Sequence, residues 1–278
     1  MYTSIFLKGV YMEIEDKIVK MYTDDKISGC KISKELDISL YTVYSVLESK
    51  NIKRRSNSIN SKKYKCNDNF FNIIDTEEKA YWLGFMYADG YILSDRDAIG
   101  LSLSTEDINH LEKFLASLNA NNKISRYTNN INREYARVII YSNKLKNDLI
   151  SHGCLENKTF KLVFPNIDEN LVRHFIRGYF DGDGSLSKHK AKNGYTYRFR
   201  LCGTSSFLNS VLKYIGFEHK TLNKRHKDRN NDNYDIDIGG NIQVFNIMNY
   251  LYNDSTIFLD RKYNRFVDLK SLYSEKSK

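Results

Sequence analysis

Proline is nearly missing from this sequence: Pro165 is the only one among 278 residues. Asparagine, lysine, isoleucine and tyrosine are abundant, a bias that AT-rich coding accounts for and that carries no mechanism. Cys30, Cys66, Cys154 and Cys202 stand far apart with no CxxC pair, so neither a disulfide framework nor a zinc ribbon is expected. A reducing, cytoplasmic setting is the natural one for such cysteines. No stretch approaches the roughly 20 apolar residues of a bilayer span, and a membrane is not an expected partner. Residues 1–10 (MYTSIFLKGV) lack the basic start and small-residue cleavage site of a signal peptide. Acids are absent from Lys50 to Lys65, a run that holds Lys50, Lys53, Arg54, Arg55, Lys62, Lys63 and Lys65.

What is present describes a globular chain. The hydrophobic share is 41% and the aromatic share 13%, enough for two or three domains with real cores. A net charge of +9 fits a polyanionic partner.

Two stretches are near copies of one another: Trp82-Leu83-Gly84-Phe85-Met86-Tyr87-Ala88-Asp89-Gly90 and Ile176-Arg177-Gly178-Tyr179-Phe180-Asp181-Gly182-Asp183-Gly184. Each follows helix-favouring residues and ends in Asp-Gly, where the glycine could close a helix in the left-handed conformation. Gly84 and Ala88 in one, Gly178 and Gly182 in the other, lie one turn apart on one helix face. Helices with small residues there can bring their backbones nearly into contact, which would gather Asp89 and Asp183 at one end of the pair. Carboxylates oppose the negative end of a helix dipole and repel each other. A divalent cation removes both penalties, so a metal site is inferred. An EF-hand is excluded, because Leu186 and Lys192 stand where its glycine and glutamate belong. The plainer alternative is a pair of buried helices with glycine ends.

These two stretches, 94 positions apart (183 − 89), resemble the repeated signature of the LAGLIDADG homing endonucleases in their two-motif, single-chain form. The resemblance implies an α+β fold of duplicated αββαββα repeats in pseudo-twofold arrangement. It also implies a monomer acting on double-stranded DNA, with Asp89 and Asp183 holding Mg²⁺ (Mn²⁺ able to substitute) at the scissile phosphates. Oxygen-only ligands and water suit these ions better than zinc. The carbonyls of Ala88 and Gly182 are candidate further ligands. The family adds basic residues near each metal, for which Lys144 and Lys227 are the candidates. The signature's penultimate acid is replaced by Tyr87 in the first copy and kept as Asp181 in the second.

Upstream, a helix over 13–22, a short helix over 31–36 and a third over 40–50 capped by Ser39 form a small all-α unit. It resembles the helix-turn-helix of resolvases and sigma factors, whose second paired helix enters the major groove by its N-terminal residues. Leu40, Tyr41, Thr42, Tyr44 and Ser45 are the candidate contacts; a bundle for protein contact is the alternative. The expected boundaries are 1–55 for this unit, 56–74 for a basic linker tracking phosphates through Lys53, Arg54, Arg55, Lys62 and Lys63, 75–168 for the first repeat and 169–278 for the second.

Within the repeats, alternation predicts strands over 99–103, 123–126 and 135–141, then over 195–201, 220–227 and 234–238. Tyr197, Phe199 and Leu201 share one strand face, and Thr196, Arg198 and Arg200 the other. Lys188, Lys190, Arg198, Arg200, Lys224 and Arg225 are candidate DNA contacts on one sheet surface, where a ribbon could read the major groove. Asp107 and Thr204 are either helix caps or supports of the site. The resulting expectation is a site-specific double-strand DNA endonuclease. The rival readings are a catalytically silent DNA-binding regulator and an RNA-binding intron maturase on the same fold.

Overall fold

The computed structural model describes residues 2–54, 64–154, 161–192, 194–225 and 231–274. Arg55, Lys62, Lys63 and Lys227, all named above, lie outside the described residues. The chain forms two units, Met1–Lys63 and Tyr64–Lys278.

In the first unit α1 (Tyr2–Thr23), α2 (Gly29–Glu35) and α3 (Leu40–Ser49) close on Ile18, Met21, Tyr22, Ile32, Val43 and Leu47. α1 begins well before residue 13, where the apolar spacing first becomes regular. Asp37 turns the chain between α2 and α3 at φ 52°, a left-handed position that aspartate tolerates better than most residues. Ser39 caps α3 by accepting from the Thr42 backbone N–H at 3.0 Å.

The second unit starts earlier than the expected repeat boundary. The backbone N–H of Lys65 donates to Asn121 Oδ1 and that of Asn67 to Leu118 O, both at 2.7 Å. Phe70 and Phe71 are buried in the main core. Residues 64–74 are therefore part of the folded unit. The basic run before them obscured two adjacent aromatics that no periodic pattern marks.

Thr76 caps α4 (Glu77–Ala88) by accepting from Lys79 N–H. There follow β1 (Gly90–Leu93), β2 (Ala98–Ser104), α5 (Ile108–Ser117), β3 (Ser125–Thr128), β4 (Glu134–Tyr141) and α6 (Asn143–Ser151). The second repeat has α7 (Glu169–Asp183), β5 (Gly184–Ala191), β6 (Gly194–Gly203), α8 (Ser205–Tyr214), β7 (Asn223–Lys224), β8 (Tyr234–Gly239) and α9 (Asn241–Tyr252), closed by α10 (Asp260–Ser274). Both copies run helix, two strands, helix, two strands, helix. Their sheets are antiparallel with matching orders, β1-β2-β4-β3 and β5-β6-β8-β7.

Each sheet turns one face to the helices. Ile99, Leu101, Val138 and Ile140 line that face in the first, and Tyr197, Phe199, Leu201, Ile236 and Ile238 in the second. Among the described residues β7 spans Asn223–Lys224, where a strand over 220–227 was expected; 226 and 227 lie outside the described residues. β5 runs eight residues although no apolar alternation marks it. Among the described residues no helix is long and apolar enough to cross a membrane.

Candidate active site

α4 and α7 make the central contact of the second unit, and the small residues decide how close they come. A methyl group on Gly84 would overlap the Phe175 carbonyl oxygen and stand 2.9 Å from Tyr179 N. Reciprocally, one on Gly178 would overlap the Tyr81 carbonyl oxygen and stand 2.9 Å from Phe85 N. Glycine at both positions thus lets backbone pack on backbone. At the carboxyl ends Gly182 meets the Ala88 methyl, and a Cβ there would stand 3.3 Å from Asp89 Oδ2. The carboxylate of Asp89 therefore lies against the Gly182–Asp183 end of the partner helix.

The terminal glycines have a different role from the expected one. Gly184 is extended, with φ −88° and ψ 167°, and Gly90 lies in β1 without a positive φ. What excludes a side chain is crowding: a Cβ on Gly90 would lie 2.7 Å from Met86 Cα, and one on Gly184 2.6 Å from the Phe180 carbonyl oxygen. Each helix passes into its strand so tightly that the preceding turn fills the space.

Asp89 is half-buried and Asp183 exposed. Both carboxylates help hold the buried Tyr179 hydroxyl above its ordinary range, burial being the larger cause. The Tyr179 hydroxyl donates to Cys202 O at 2.8 Å. Among the described residues no group of three or more His, Cys, Asp or Glu could hold a metal. The donor set is two aspartates at helix carboxyl ends. Two carboxylates with open positions for water fit a hydrated Mg²⁺ and not a fully protein-caged ion.

The cation that the structure does place here was missed by sequence reasoning. Lys262, on α10 and 5% exposed, donates to the carbonyls of Phe180 (2.6 Å), Asp181 (2.7 Å), Gly182 (3.3 Å) and Gly184 (2.6 Å). Burial lowers its pKa to about 8, against the pull of Asp181, Asp89 and Asp183. One ammonium thus offsets part of the unfavourable helix dipole beneath Asp183. It also engages the Gly182 carbonyl expected to bind metal. Only a lysine at the start of a closing helix signalled this in the sequence.

The two penultimate positions of the signature point away from the paired aspartates and into the cores. Tyr87 donates to the His152 carbonyl after α6. Asp181 is fully buried and accepts from Tyr81 Oη and Leu259 N–H at 2.7 and 2.8 Å, and from Tyr252 Oη. Burial raises the pKa of Asp181, while Lys262 and these donors oppose the rise. Beside it, fully buried Arg177 donates to Glu77 Oε1 (2.7 Å), Ile257 O (3.0 Å) and Leu251 O (2.8 Å). Both positions thus fasten a core helix to the segment after the last helix of its repeat. Tyrosine and aspartate do this with opposite hydrogen-bond polarity.

Other expected residues fall elsewhere. Lys144 Nζ binds Asp148 at 2.6 and 2.7 Å and Asn72 Oδ1 at 2.8 Å, an α6 pairing and not a contact with Asp89. Asp107 makes no side-chain cap; its carboxylate takes Arg261 Nε at 2.9 Å, which ties α10 to the first repeat. Thr204 does cap α8, accepting from Phe207 N–H.

Arg198 and Arg200 stand on the outer face of the second sheet as the alternation requires. Arg225 pairs with Asp235 there at 3.5 Å, and Lys224 lies on the edge strand β7. Lys188 and Lys190 share the alternation of Leu186, which puts them on the helix side of the sheet. Lys188 Nζ lies 4.0 Å from Asp268 on α10 and over the Tyr195 ring. The expectation that all these cations share one surface fails for this pair, because β5 counts from buried Leu186 in steps of two.

In the first unit Tyr41 is 82% exposed, and Ser45, Lys53 and Arg54 are exposed. The Thr42 hydroxyl is engaged with Ser39 Oγ at 2.7 Å. The Tyr44 ring covers Gly29 and carries the Arg54 guanidinium 4.3 Å from its centroid.

A duplicated α+β unit, with two glycine-bearing helices joined at its centre and two antiparallel sheets beside them, defines the architectural class. This is the two-repeat LAGLIDADG fold. The chain is similar to the meganuclease I-SmaMI bound to uncleaveable DNA with a TTGT central four, at 12% identity over 72% of this chain and 89% of that one, with a TM-score of 0.50. The LAGLIDADG meganuclease I-AabMI bound to uncleaved DNA aligns at 13% identity over 70% and 91% (TM-score 0.48). The LAGLIDADG homing endonuclease I-GzeII in complex with its DNA target aligns at 16% over 71% and 91% (TM-score 0.48). No family model matches the sequence, and no curated protein does.

Proposed function

We propose that the chain is a metal-dependent, site-specific endonuclease that hydrolyses both strands of duplex DNA. The observation that carries this reading is the convergence of Asp89 and Asp183 at the joined carboxyl ends of α4 and α7. The likeness of the fold to a meganuclease bound to DNA supports it, as does the net charge of +9. A structural role alone gives no reason for two carboxylates to crowd a negative helix end.

In this reading Asp89 and Asp183 hold Mg²⁺ or Mn²⁺, which supplies Lewis acidity toward the phosphate and an acidified water at neutral pH. The aspartates fix where that chemistry happens. Lys262 keeps the carbonyl turn under Asp183 in place, and the reciprocal glycine contacts set the spacing of the two acids. The outer sheet faces, Arg198 and Arg200 among their residues, orient the duplex. The first unit adds a helix-turn-helix anchor through Tyr41, Ser45, Lys53 and Arg54, contributing affinity more than sequence information.

The test is cleavage of a randomised duplex library in Mg²⁺ by wild type, Asp89→Asn and Asp183→Asn. Discrete double-strand cuts lost in either variant are expected. Selective binding without cutting in Mg²⁺ or Mn²⁺ would sink the nuclease reading and leave a DNA-binding regulator; preference for intron RNA over duplex would favour a maturase.

A further inference from the structure

The outer faces of the two sheets differ in chemistry, although the repeats share one topology. On the second sheet Asp237 of β8 lies opposite Arg200 and beside Arg198 of β6. Arg198 Nε is 3.2 Å from Asp237 Oδ1, and its Nη1 donates to Oδ2 at 3.4 Å. Arg200 Nε donates to Oδ2 at 3.1 Å. One carboxylate therefore holds Arg200 through Nε and Arg198 through Nη1, with Arg198 Nε also within ion-pair distance. The arginine side chains remain 45% and 54% exposed, against 21% for Asp237. Among the described residues no hydrogen bond occupies the two terminal nitrogens of Arg200.

The outer face of the first sheet presents Tyr91, Ser102, Ser104, Tyr127, Tyr135 and Ile139 at the corresponding positions, with Arg137 as the one charge among the described strand residues of that face. That charge lies over the Tyr127 ring at 5.1 Å. Tyr127 and Tyr135 stack at 5.6 Å, and the Tyr127 hydroxyl meets Ser102 Oγ at 2.8 Å. Among the described residues on the strands of this face no side chain offers a carboxylate-held fork; Arg96, held by Asp95 through Nε and Nη2, lies in the turn between β1 and β2 and off the strands.

An arginine that serves only a phosphate gains nothing from a carboxylate beside it, since the carboxylate cancels the charge that makes the contact. A base-reading arginine does gain. Its plane must stay fixed while its outward N–H pair takes the O6 and N7 acceptors of guanine. We propose that Arg198 and Arg200, positioned by Asp237, read guanine in the half-site under the second sheet. The first sheet reads its half-site through hydroxyl and apolar contacts, without a guanine requirement. This rests on the duplex-DNA reading above and adds that the guanine requirement is confined to one half of the target.

The experiment is selection from a randomised duplex library with Ca²⁺ in place of Mg²⁺, followed by sequencing of bound duplexes. The variants are Arg198→Lys, Arg200→Lys and Asp237→Asn. Wild type is expected to select a long site whose required guanines lie on one side of its centre. Each lysine variant keeps the charge and loses the fork, so guanine preference at one position should fall about ten- to a hundredfold. Affinity for unrelated duplex should stay unchanged. Asp237→Asn should relax the same positions while binding unrelated duplex more tightly, because a negative charge leaves the face. Should it fail to fold, the lysine variants carry the test alone. Lysine variants that keep full guanine preference, or required guanines spread over both halves, would overturn this assignment while leaving the nuclease reading intact. A wild-type chain that selects no duplex removes both.

Discussion

Gly178→Ala separates two opposing effects. In an ordinary helix interior the change favours folding by about 1 kcal/mol. Here the added methyl would overlap the Tyr81 carbonyl oxygen and lie 2.8 Å from the carbonyl carbon and 2.9 Å from Phe85 N. All three are backbone atoms of α4, so no side chain can swing aside and the helices must separate by on the order of 1 Å to restore van der Waals contact. Overpacking costs about 1–3 kcal/mol, occasionally more. A shift of a whole helix pair belongs at the upper end, because Tyr81, Phe85, Phe175 and Tyr179 all lose contact together. The expected net loss is about 2 kcal/mol or more, which lowers Tm by at least about 4 °C for a unit of this size. Gly84→Ala should cost a similar amount through Phe175 O and Tyr179 N. The double variant should cost less than the sum, since helices already parted accept the second methyl. Urea and thermal unfolding of the three variants measure this. A neutral or stabilised Gly178→Ala chain would refute the close approach, and with it the reason Asp89 and Asp183 meet.

Asp181→Asn sets an amide against the Tyr81 and Tyr252 hydroxyls and the Leu259 N–H, the donors that converge on the carboxylate; about 1–3 kcal/mol of stability should go with it, seen as a Tm drop in differential scanning calorimetry, and an unchanged Tm would mean that this network is not stabilising. Burial lowers the pKa of His110 to about 3 and that of His174 to about 4, so as pH falls below about 6.5 the unfolded chain takes up protons first. Stability is then full above that pH and declines toward pH 4, by up to about 2 kcal/mol per histidine at pH 5. His110→Gln should show a shallower decline in urea titrations at pH 7 and 5, and an unaltered slope would rule His110 out. A chain starting at Tyr64 should keep the sharp near-ultraviolet dichroism of a packed core. One starting at Asp75 loses Phe70, Phe71 and Ile74 and should lose that signal; equal spectra from both would show that these residues do not belong to the unit.

Local chemistry and periodicity made much of this protein legible. The repeated small-residue spacing of Gly84, Ala88, Gly178 and Gly182 encodes which helix faces meet, because only missing side chains let backbones touch. The alternation in 195–201 fixes which face of β6 carries Arg198 and Arg200, because side chains in a strand have a period of two. Ser39 and Thr204 announce their helices by capping chemistry that is complete within four residues. Tertiary structure decided whatever depends on groups distant in sequence. Lys262 reaches the carbonyl end of α7 only because α10 folds back over it, and Asp107 exchanges a cap for Arg261 for the same reason. Asp181 and Tyr87 diverge in type yet both tie down the segment beyond a distant helix. The glycines that end the signature are needed for crowding against Met86 and Phe180 and not for a left-handed turn. Spacing along a chain specifies the face a residue occupies; what it meets there is set by the partner element that arrives.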